Sequence, residues 1–289
     1  MPRSLTPLRY PGGKTKLYST VLDLIERNEI KNGTYIEPFA GGAGIAIRLL
    51  LDGIVSNIVL NDFDYAIFAI WKTITEHTDD LCTFIDTVPL TTSEWLRQRT
   101  VYTNQNDYSL LEVGQAAFFL NRTNVSGVLT GGVIGGLSQE GTYKIDARFN
   151  RKNLIKMIQA IAEHKEHIHI FNWNAADFIL HIIPNFENVF VYFDPPYVKK
   201  GPSLYRNSFS KEDHRALSEI ITASRFKWIV TYDKCELIEQ LYNNFDRKVL
   251  SINYSAGQTK SGNEIIIYGH NILNQNNVES SLRLHSITT

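Results

Sequence analysis

The sequence predicts an α/β fold, a mainly parallel sheet flanked by helices and interrupted by a mostly helical insert. Three observations carry this prediction. Apolar runs of strand length recur with helix-like stretches between them. The first run passes directly into a glycine-rich turn and an apolar helical segment. Between about Thr75 and Lys165 the strand rhythm stops and helical periods replace it. The 289 residues are enough for one large α/β domain, or for one such domain plus a smaller insert.

Taken in order, the first strand is expected at Thr34 to Ile36. It runs into Glu37-Pro38-Phe39-Ala40-Gly41-Gly42-Ala43-Gly44 and a helical stretch from Ile45 to Leu51. The next strand, Asn57 to Leu60, ends at Asn61-Asp62. The insert, residues 75–164, shows helical periods at Leu110 to Leu120 and Leu154 to Ala162 around a Gly-rich loop, Ser126 to Gly141. Strands resume at Ile168 to Phe171, Val189 to Phe193 and Trp228 to Tyr232. Val249 to Tyr254 and Ile265 to Tyr268 lie close enough to pair as an antiparallel hairpin around Gly257 to Gly262. Residues 1–74 and 165–273 therefore form the main unit, and 274–289 a polar tail expected to fray.

Composition excludes several function classes. Hydrophobic residues make up 43% and charged residues 20%, the balance of a globular protein rather than a disordered one. Cys82 and Cys235 are the only cysteines, which excludes a disulfide scaffold and a zinc ribbon and suits a reducing cytosol. The first residues carry no apolar leader, and no run approaches the ~20 apolar residues of a membrane span. A cytoplasmic protein without a membrane partner is expected. The total of 29 bases against 30 acids gives a net charge of -1 and no hint of a polyanion partner. The distribution says otherwise. Residues 1–16 hold Arg3, Arg9, Lys14 and Lys16 with no acid. Residues 140–156 hold Lys144, Arg148, Arg151, Lys152 and Lys156 against Glu140 and Asp146. Residues 197–215 hold Lys199, Lys200, Arg206, Lys211 and Arg215 against Glu212 and Asp213.

The motifs point to a site at one end of the sheet. Glycines 41, 42 and 44 let the backbone turn tightly against a ligand, and the helix that follows offers free N–H groups to an anion. Asp62, closing the next strand, can accept hydrogen bonds from both hydroxyls of a ribose, which indicates an adenosine-containing cofactor. The dinucleotide fingerprint fails, because counting from Gly42 its last position is Ile47, so NAD is disfavoured. Tyr10-Pro11-Gly12-Gly13-Lys14-Thr15 ends like a phosphate loop, but Leu8 stands where that loop needs glycine. A lysine on a glycine turn, such as Lys14, can instead hold a carboxylate, although taken alone it reads as a solvated surface lysine. The strand at 189–193 ends in Asp194-Pro195-Pro196-Tyr197, where two prolines remove two donors and leave an acceptor-rich site. The Asp194 carboxylate, the Pro195 carbonyl and the Tyr197 ring complement an exocyclic amino group on an aromatic base.

In their chain order, Tyr10-Pro-Gly-Gly-Lys14, Glu37-Pro-Phe-Ala-Gly-Gly-Ala-Gly44, Asn61-Asp62 and Asp194-Pro-Pro-Tyr197, these four motifs resemble the Dam-like, D12 class of N6-adenine-specific DNA methyltransferases, over the chain to about residue 273. The resemblance implies a Rossmann-like S-adenosylmethionine-dependent methyltransferase sheet, with residues 75–164 as target-recognition subdomain. It implies S-adenosyl-L-methionine as donor, S-adenosyl-L-homocysteine as product, double-stranded DNA as substrate and room for a restriction endonuclease partner. By this resemblance Tyr10, Lys14, Asp62 and Asp194 contact the cofactor. Glu37, Phe39, Gly41, Gly42 and Gly44 form its loop, and Asp177 sits near its adenine. Asp194, Pro195, Pro196 and Tyr197 are then catalytic: two acceptors localise the lone pair of the adenine amino nitrogen for direct transfer, and Tyr197 stacks on the flipped base. No metal is expected, since a sulfonium donor needs no Lewis acid.

The family's recognition segment opens with Asn-Arg and reaches a glycine, as do Asn121-Arg122 and Gly127. Beyond that the match departs: Val125 and Thr130 stand where Dam itself has an intercalating aromatic and a guanine-reading arginine, so GATC specificity is not implied. The candidate DNA contacts are Arg122, Asn124, Ser126, Lys144, Arg148 and Arg151. Alternatives are methylation of an RNA base or protein amide, and a DNA-binding homologue without activity. Asp194 argues against the protein glutamine methyltransferases, which carry Asn-Pro-Pro-Tyr, and the intact Asp-Pro-Pro-Tyr argues against loss of activity.

Overall fold

The structure, a computed structural model, describes residues 5–9, 17–198, 209–254 and 260–273. Among them a 7-stranded sheet runs in the order β3-β2-β1-β4-β5-β7-β6. The strands are β1 (Thr34–Glu37), β2 (Asn57–Asn61), β3 (Ile168–Phe171), β4 (Val189–Phe193), β5 (Lys227–Asp233), β6 (Arg247–Tyr254) and β7 (Lys260–Tyr268). The first five pair in parallel, and β7 enters antiparallel between β5 and β6. The predicted hairpin therefore forms with longer arms, and its turn at 255–259 lies outside the described residues.

The strand sequences are apolar on both faces because both faces are covered. Alternate residues divide cleanly. Tyr35, Ile58, Leu60, Phe190, Tyr192 and Ile229 enter one core, while Ile36, Val59, Val191, Phe193, Val230 and Tyr232 enter the other. The first core takes in α1 (Tyr18–Arg27), α2 (Gly44–Leu51) and α3 (Tyr65–Glu76). It continues without a break into the insert.

The insert contributes α4 (Thr78–Thr87), α5 (Thr92–Thr103), α6 (Leu110–Thr123) and α7 (Arg151–Ala162). Helix α6 starts at a Ser109–Glu112 capping box, and its Phe118 and Phe119 pack on Phe149 beside α3. Sequence periods alone give only α6 and α7. Helices α4 and α5 are harder to see because α5 is mostly polar, with Trp95, Gln98, Val101 and Tyr102 its only buried side chains. After β3 come a short turn, α8 (Ala175–Asp177), and a π-turn, Phe178–Ile182; α9 (Lys211–Ala223) and α10 (Glu236–Leu241) cover the second face. No helix among the described residues is long and apolar enough to cross a membrane.

One topological fact positions the site. The chain moves from β1 outward to β2 and β3, then returns across β1 to β4 and β5. At such a switch point the connections diverge to opposite sides, which leaves a crevice at the carboxyl ends of β1 and β4. Glu37 and Asp194 lie at those ends, and Asp62 at the carboxyl end of the adjoining β2.

Candidate active site

The turn after β1 is held from three sides. Ala40 N–H donates to the Asn61 carbonyl (2.9 Å), Trp71 Nε1 of α3 donates to the Gly41 carbonyl (2.9 Å), and Thr6 Oγ1 donates to the Gly42 carbonyl (2.6 Å). The positive φ values fall on Gly41 (46°) and Ala43 (43°). Of the three glycines read from the sequence, Gly41 is the one in the left-handed region, and Ala43 is the second left-handed residue of the turn. Ala43 takes the left-handed state at a cost of roughly 1–2 kcal/mol, in a loop whose neighbours over-determine it.

Glu37 also differs from expectation. Its carboxyl group is buried (6% exposed), accepts from the Tyr35 hydroxyl (3.0 Å) and accepts from the Ala46 N–H in the first turn of α2. An N–H expected to meet an anionic ligand is thus taken by the chain itself. Burial, with the Asp194 charge adding, pushes the Glu37 pKa up to about 8, so it carries a proton at neutral pH. Glu37 supports the loop from beneath.

Asp62 joins two motifs that the sequence shows only as neighbours. One carboxylate oxygen accepts the Gly41 N–H (2.8 Å) and the other accepts the Asp64 N–H (3.0 Å). Burial outweighs these bonds and raises its pKa to about 7. Asn61 stitches three strand ends together: its amide donates to the Pro38 and Trp173 carbonyls (3.0 Å each) and its Oδ1 accepts the Trp173 N–H (2.9 Å). Phe63 (58% exposed) and Trp173 (43%) are large aromatic side chains left open beside Asp62. The motif reading misses both, although an aromatic directly after a strand-ending acid is a usable signal. Asp177 caps α8 with Asn174, whose Oδ1 accepts the Asp177 N–H (2.9 Å) and whose amide donates back to the Asp177 carboxylate.

Asp194 is set by register. Phe193 pairs with Val230, which brings the next residues, Asp194 and Thr231, side by side. Thr231 Oγ1 donates to Asp194 Oδ1 (2.8 Å) and lies 2.9 Å from the Tyr192 hydroxyl. A threonine has one proton, so Tyr192 is the donor in the second bond. Thr231 is fully buried and Tyr192 nearly so (0% and 2% exposed), making a fixed support for one carboxylate oxygen. Thr231 is visible in the sequence only as a polar residue inside an apolar strand.

Further along, the Tyr197 hydroxyl donates to Glu264 (2.6 Å) and the Val198 N–H to Asp233 (3.0 Å), two residues that β5 and β7 pair directly. Burial, then the Asp194 and Glu264 carboxylates, raise the Tyr197 pKa. The expected open ring face is not what this conformation offers, since Tyr197 is only 8% exposed. Pro195 is buried and Pro196 half-buried. Phe39 is half-buried with its ring edge-on to Phe209 (6.0 Å). Tyr10 and Lys14 lie outside the described residues.

The predicted DNA contacts separate into two groups. Asn124 is fully buried: its Oδ1 accepts from Trp95 Nε1 (2.7 Å), and its amide donates to the Val128 and Leu129 carbonyls (2.9 and 3.0 Å). This leaves nothing for DNA, and the expectation is corrected. Arg122 donates to the Pro7 carbonyl (3.2 Å) and to the Arg148 carbonyl, and Arg151 to the Val88 (2.7 Å) and Ile85 carbonyls. Both are braces between segments. Ser126, Lys144 and Arg148 are exposed. The Asn121 side chain, read from sequence only as the start of the segment, clamps the N-terminal strand of chain. Its Oδ1 accepts the Arg9 N–H (2.8 Å), and its amide donates to the Arg9 and Gly127 carbonyls (2.7 and 3.1 Å). Only glycine fits at 127, where φ is +77° and a Cβ would lie 2.4 Å from the Arg9 carbonyl oxygen.

A Rossmann-like α/β sheet with an Asp-Pro-Pro-Tyr turn at its switch point and a helical insert between β2 and β3 defines a class of methyltransferase folds. The D12 class N6 adenine-specific DNA methyltransferase family matches residues 10–255, and the chain belongs to it. Among curated proteins it is similar to the type II methyltransferase M.MjaIII of Methanocaldococcus jannaschii. The two are 25% identical over 76% of this chain and 78% of that one. It is also similar to the type II methyltransferase M.CviBI of Paramecium bursaria Chlorella virus NC1A, at 24% over 82% of this chain and 86% of the relative. The solved rRNA methyltransferase aviRa of Streptomyces viridochromogenes aligns over 90% of this chain and 86% of its own. That alignment has 12% identity and a TM-score of 0.34, and the fold rests on the strand order instead.

Proposed function

We propose that this enzyme transfers a methyl group from S-adenosyl-L-methionine to the exocyclic amino group of an adenine flipped out of duplex DNA. The observation that carries this reading is the fixed Asp194, held through Thr231 and Tyr192 at the switch point of the sheet. With one oxygen supported, Asp194 and the Pro195 carbonyl can accept the two amino hydrogens, withdrawing the nitrogen lone pair from the ring. Tyr197, anchored on Glu264, walls the same space, and stacking on the base requires its burial to be relieved.

The residues at the crevice fit the donor. Phe63 and Trp173 offer aromatic faces for an adenine, and Asp62 offers a carboxylate for ribose hydroxyls. The Gly41–Gly44 turn gives the backbone close approach, and Tyr10 and Lys14 remain proposed contacts from sequence. Bound there, S-adenosylmethionine supplies an electrophilic methyl group on a sulfonium. Residues 1–74 and 165–273 act as catalytic unit and 75–164 as the target-recognition unit. The two type II relatives favour a restriction-modification role with an endonuclease partner.

The test is transfer of label from S-adenosylmethionine to duplex DNA, with N6-methyladenine identified by single-molecule sequencing. Asp194→Ala is expected to lower the rate by about 10³-fold or more, with the thermal transition unchanged. Full activity in that variant sinks the mechanism, and labelling of RNA or protein but not DNA sinks the substrate.

A further inference from the structure

A groove of about 300 Å³ opens where the N-terminal segment meets the insert, and its walls include Arg9, Val125, Ser126, Tyr143 and Arg148. At the small end of ligand clefts, it has room for one nucleotide-sized group. Its charges are one-sided. Arg9 is fixed by Asn121 and donates through Nη1 to the Asn124 carbonyl (2.9 Å). Arg148 lies over the exposed Tyr143 ring, 6.0 Å from its centroid. Arg122, behind the groove rather than in its lining, adds a third guanidinium, which donates three hydrogen bonds to the Pro7 and Arg148 carbonyls.

None of the ion pairs among the described residues includes these three arginines. The acids of this stretch, Glu140 and Asp146, are exposed and do not line the groove. Burial first, then mutual repulsion, lowers the pKa of both Arg9 and Arg122. Fixed guanidinium groups that repel one another without an acid gain most from an anion that presents several oxygens. The exposed side chains at the rim suit the rest of a nucleotide: Val125 (55% exposed) is apolar and Tyr143 (66%) is flat.

We propose that this groove is a phosphate clamp, in which Arg9 and Arg148 grip a backbone phosphate of the DNA substrate while Tyr143 lies against the adjoining sugar or base. This rests on the reading of duplex DNA as substrate. It assigns DNA contact to Arg9 and Tyr143, which the sequence motifs do not single out, and makes Arg122 the brace that sets the clamp.

The experiment measures binding of a short mixed-sequence duplex by fluorescence anisotropy across a salt series. Arg148→Gln is expected to weaken binding on the order of eightfold at 0.1 M salt. It should also reduce the slope of log Kd against log salt by about 0.9, the release of one phosphate's counterions. The loss is independent of sequence, Arg148→Lys keeps the slope, and the thermal transition stays in place. Arg9→Gln behaves alike; if it unfolds, Arg148→Gln decides. An unchanged slope, or a loss confined to one sequence, overturns the clamp. Failure of the unsubstituted protein to bind duplex overturns the substrate reading itself, whereas normal binding with variants that match it overturns the clamp alone.

Discussion

The carboxyl edge of the sheet and the surface of the insert use polar side chains in opposite ways. At the edge, Glu37, Asp62 and Asp194 stand at strand ends, and a nearby part of the same sheet edge orients each: Thr231 of the neighbouring strand β5 for Asp194, Gly41 in the turn after β1 for Asp62, and Tyr35 of β1 itself for Glu37. In the insert, three of the six named polar residues are consumed in holding loops together, Asn124 and the braces Arg122 and Arg151. The difference teaches where motif reading transfers to space. A strand end has its neighbours dictated by sheet connectivity, while an irregular loop carries carbonyls that need donors, and nearby Asn and Arg side chains supply them.

The sharpest test of the edge is pH. Glu37 has a pKa raised from 4.5 to about 8, so its contribution to stability is complete below pH 4.5 and is lost as pH rises through about 8. The loss is as much as about 5 kcal/mol relative to a side chain that cannot ionise. Denaturant titrations at a series of pH values should show the protein weakening over this window, with Glu37→Gln removing the part that extends to about 8 and leaving the part owed to Asp62, whose pKa is raised to about 7. Parallel profiles for the two proteins would break the account of a buried, protonated support.

Asn124 tests the other region. Asn124→Ala strands the Trp95 indole N–H and two carbonyls, with an expected loss of about 3 kcal/mol in denaturant unfolding. The variant that remains folded at low temperature should keep the salt slope of DNA binding. An unaltered stability with weakened DNA binding would restore Asn124 as a contact and erase the contrast drawn above.

The smallest effect is expected at Thr231. Thr231→Val removes the hydroxyl that donates to Asp194 Oδ1 without touching substrate, so kcat should fall about tenfold while KM stays level. Thr231→Ser should recover most of the rate. Equal losses in the valine and serine variants would mean that packing, rather than the hydrogen bond, matters at this position.

Much of the edge is legible in the sequence. The apolar runs at 34–36, 57–60 and 189–193, and the residues that follow them, are enough to place Asp62 and Asp194 at the carboxyl edge of the sheet. Trp173 escapes notice because an exposed aromatic and a buried one read alike in a single chain, whereas Phe63 is signalled only by its place directly after Asp62. Gly41 is legible as a turn residue, but Ala43 is not, since no local rule predicts a left-handed alanine. Helix α5 escapes because its buried positions are few, and Asn124 because a loop asparagine looks the same whether it faces solvent or a tryptophan.

The sequence by itself determined the α/β class, the order of the motifs and the family, because strand periodicity and turn chemistry are local properties. Only the tertiary structure decided that Glu37 lies beneath the loop, that Thr231 and Tyr192 hold Asp194, and that Asn124 and Arg122 belong to the scaffold. Those outcomes depend on strand register and on which buried polar atoms need partners, and neither exists until distant segments meet.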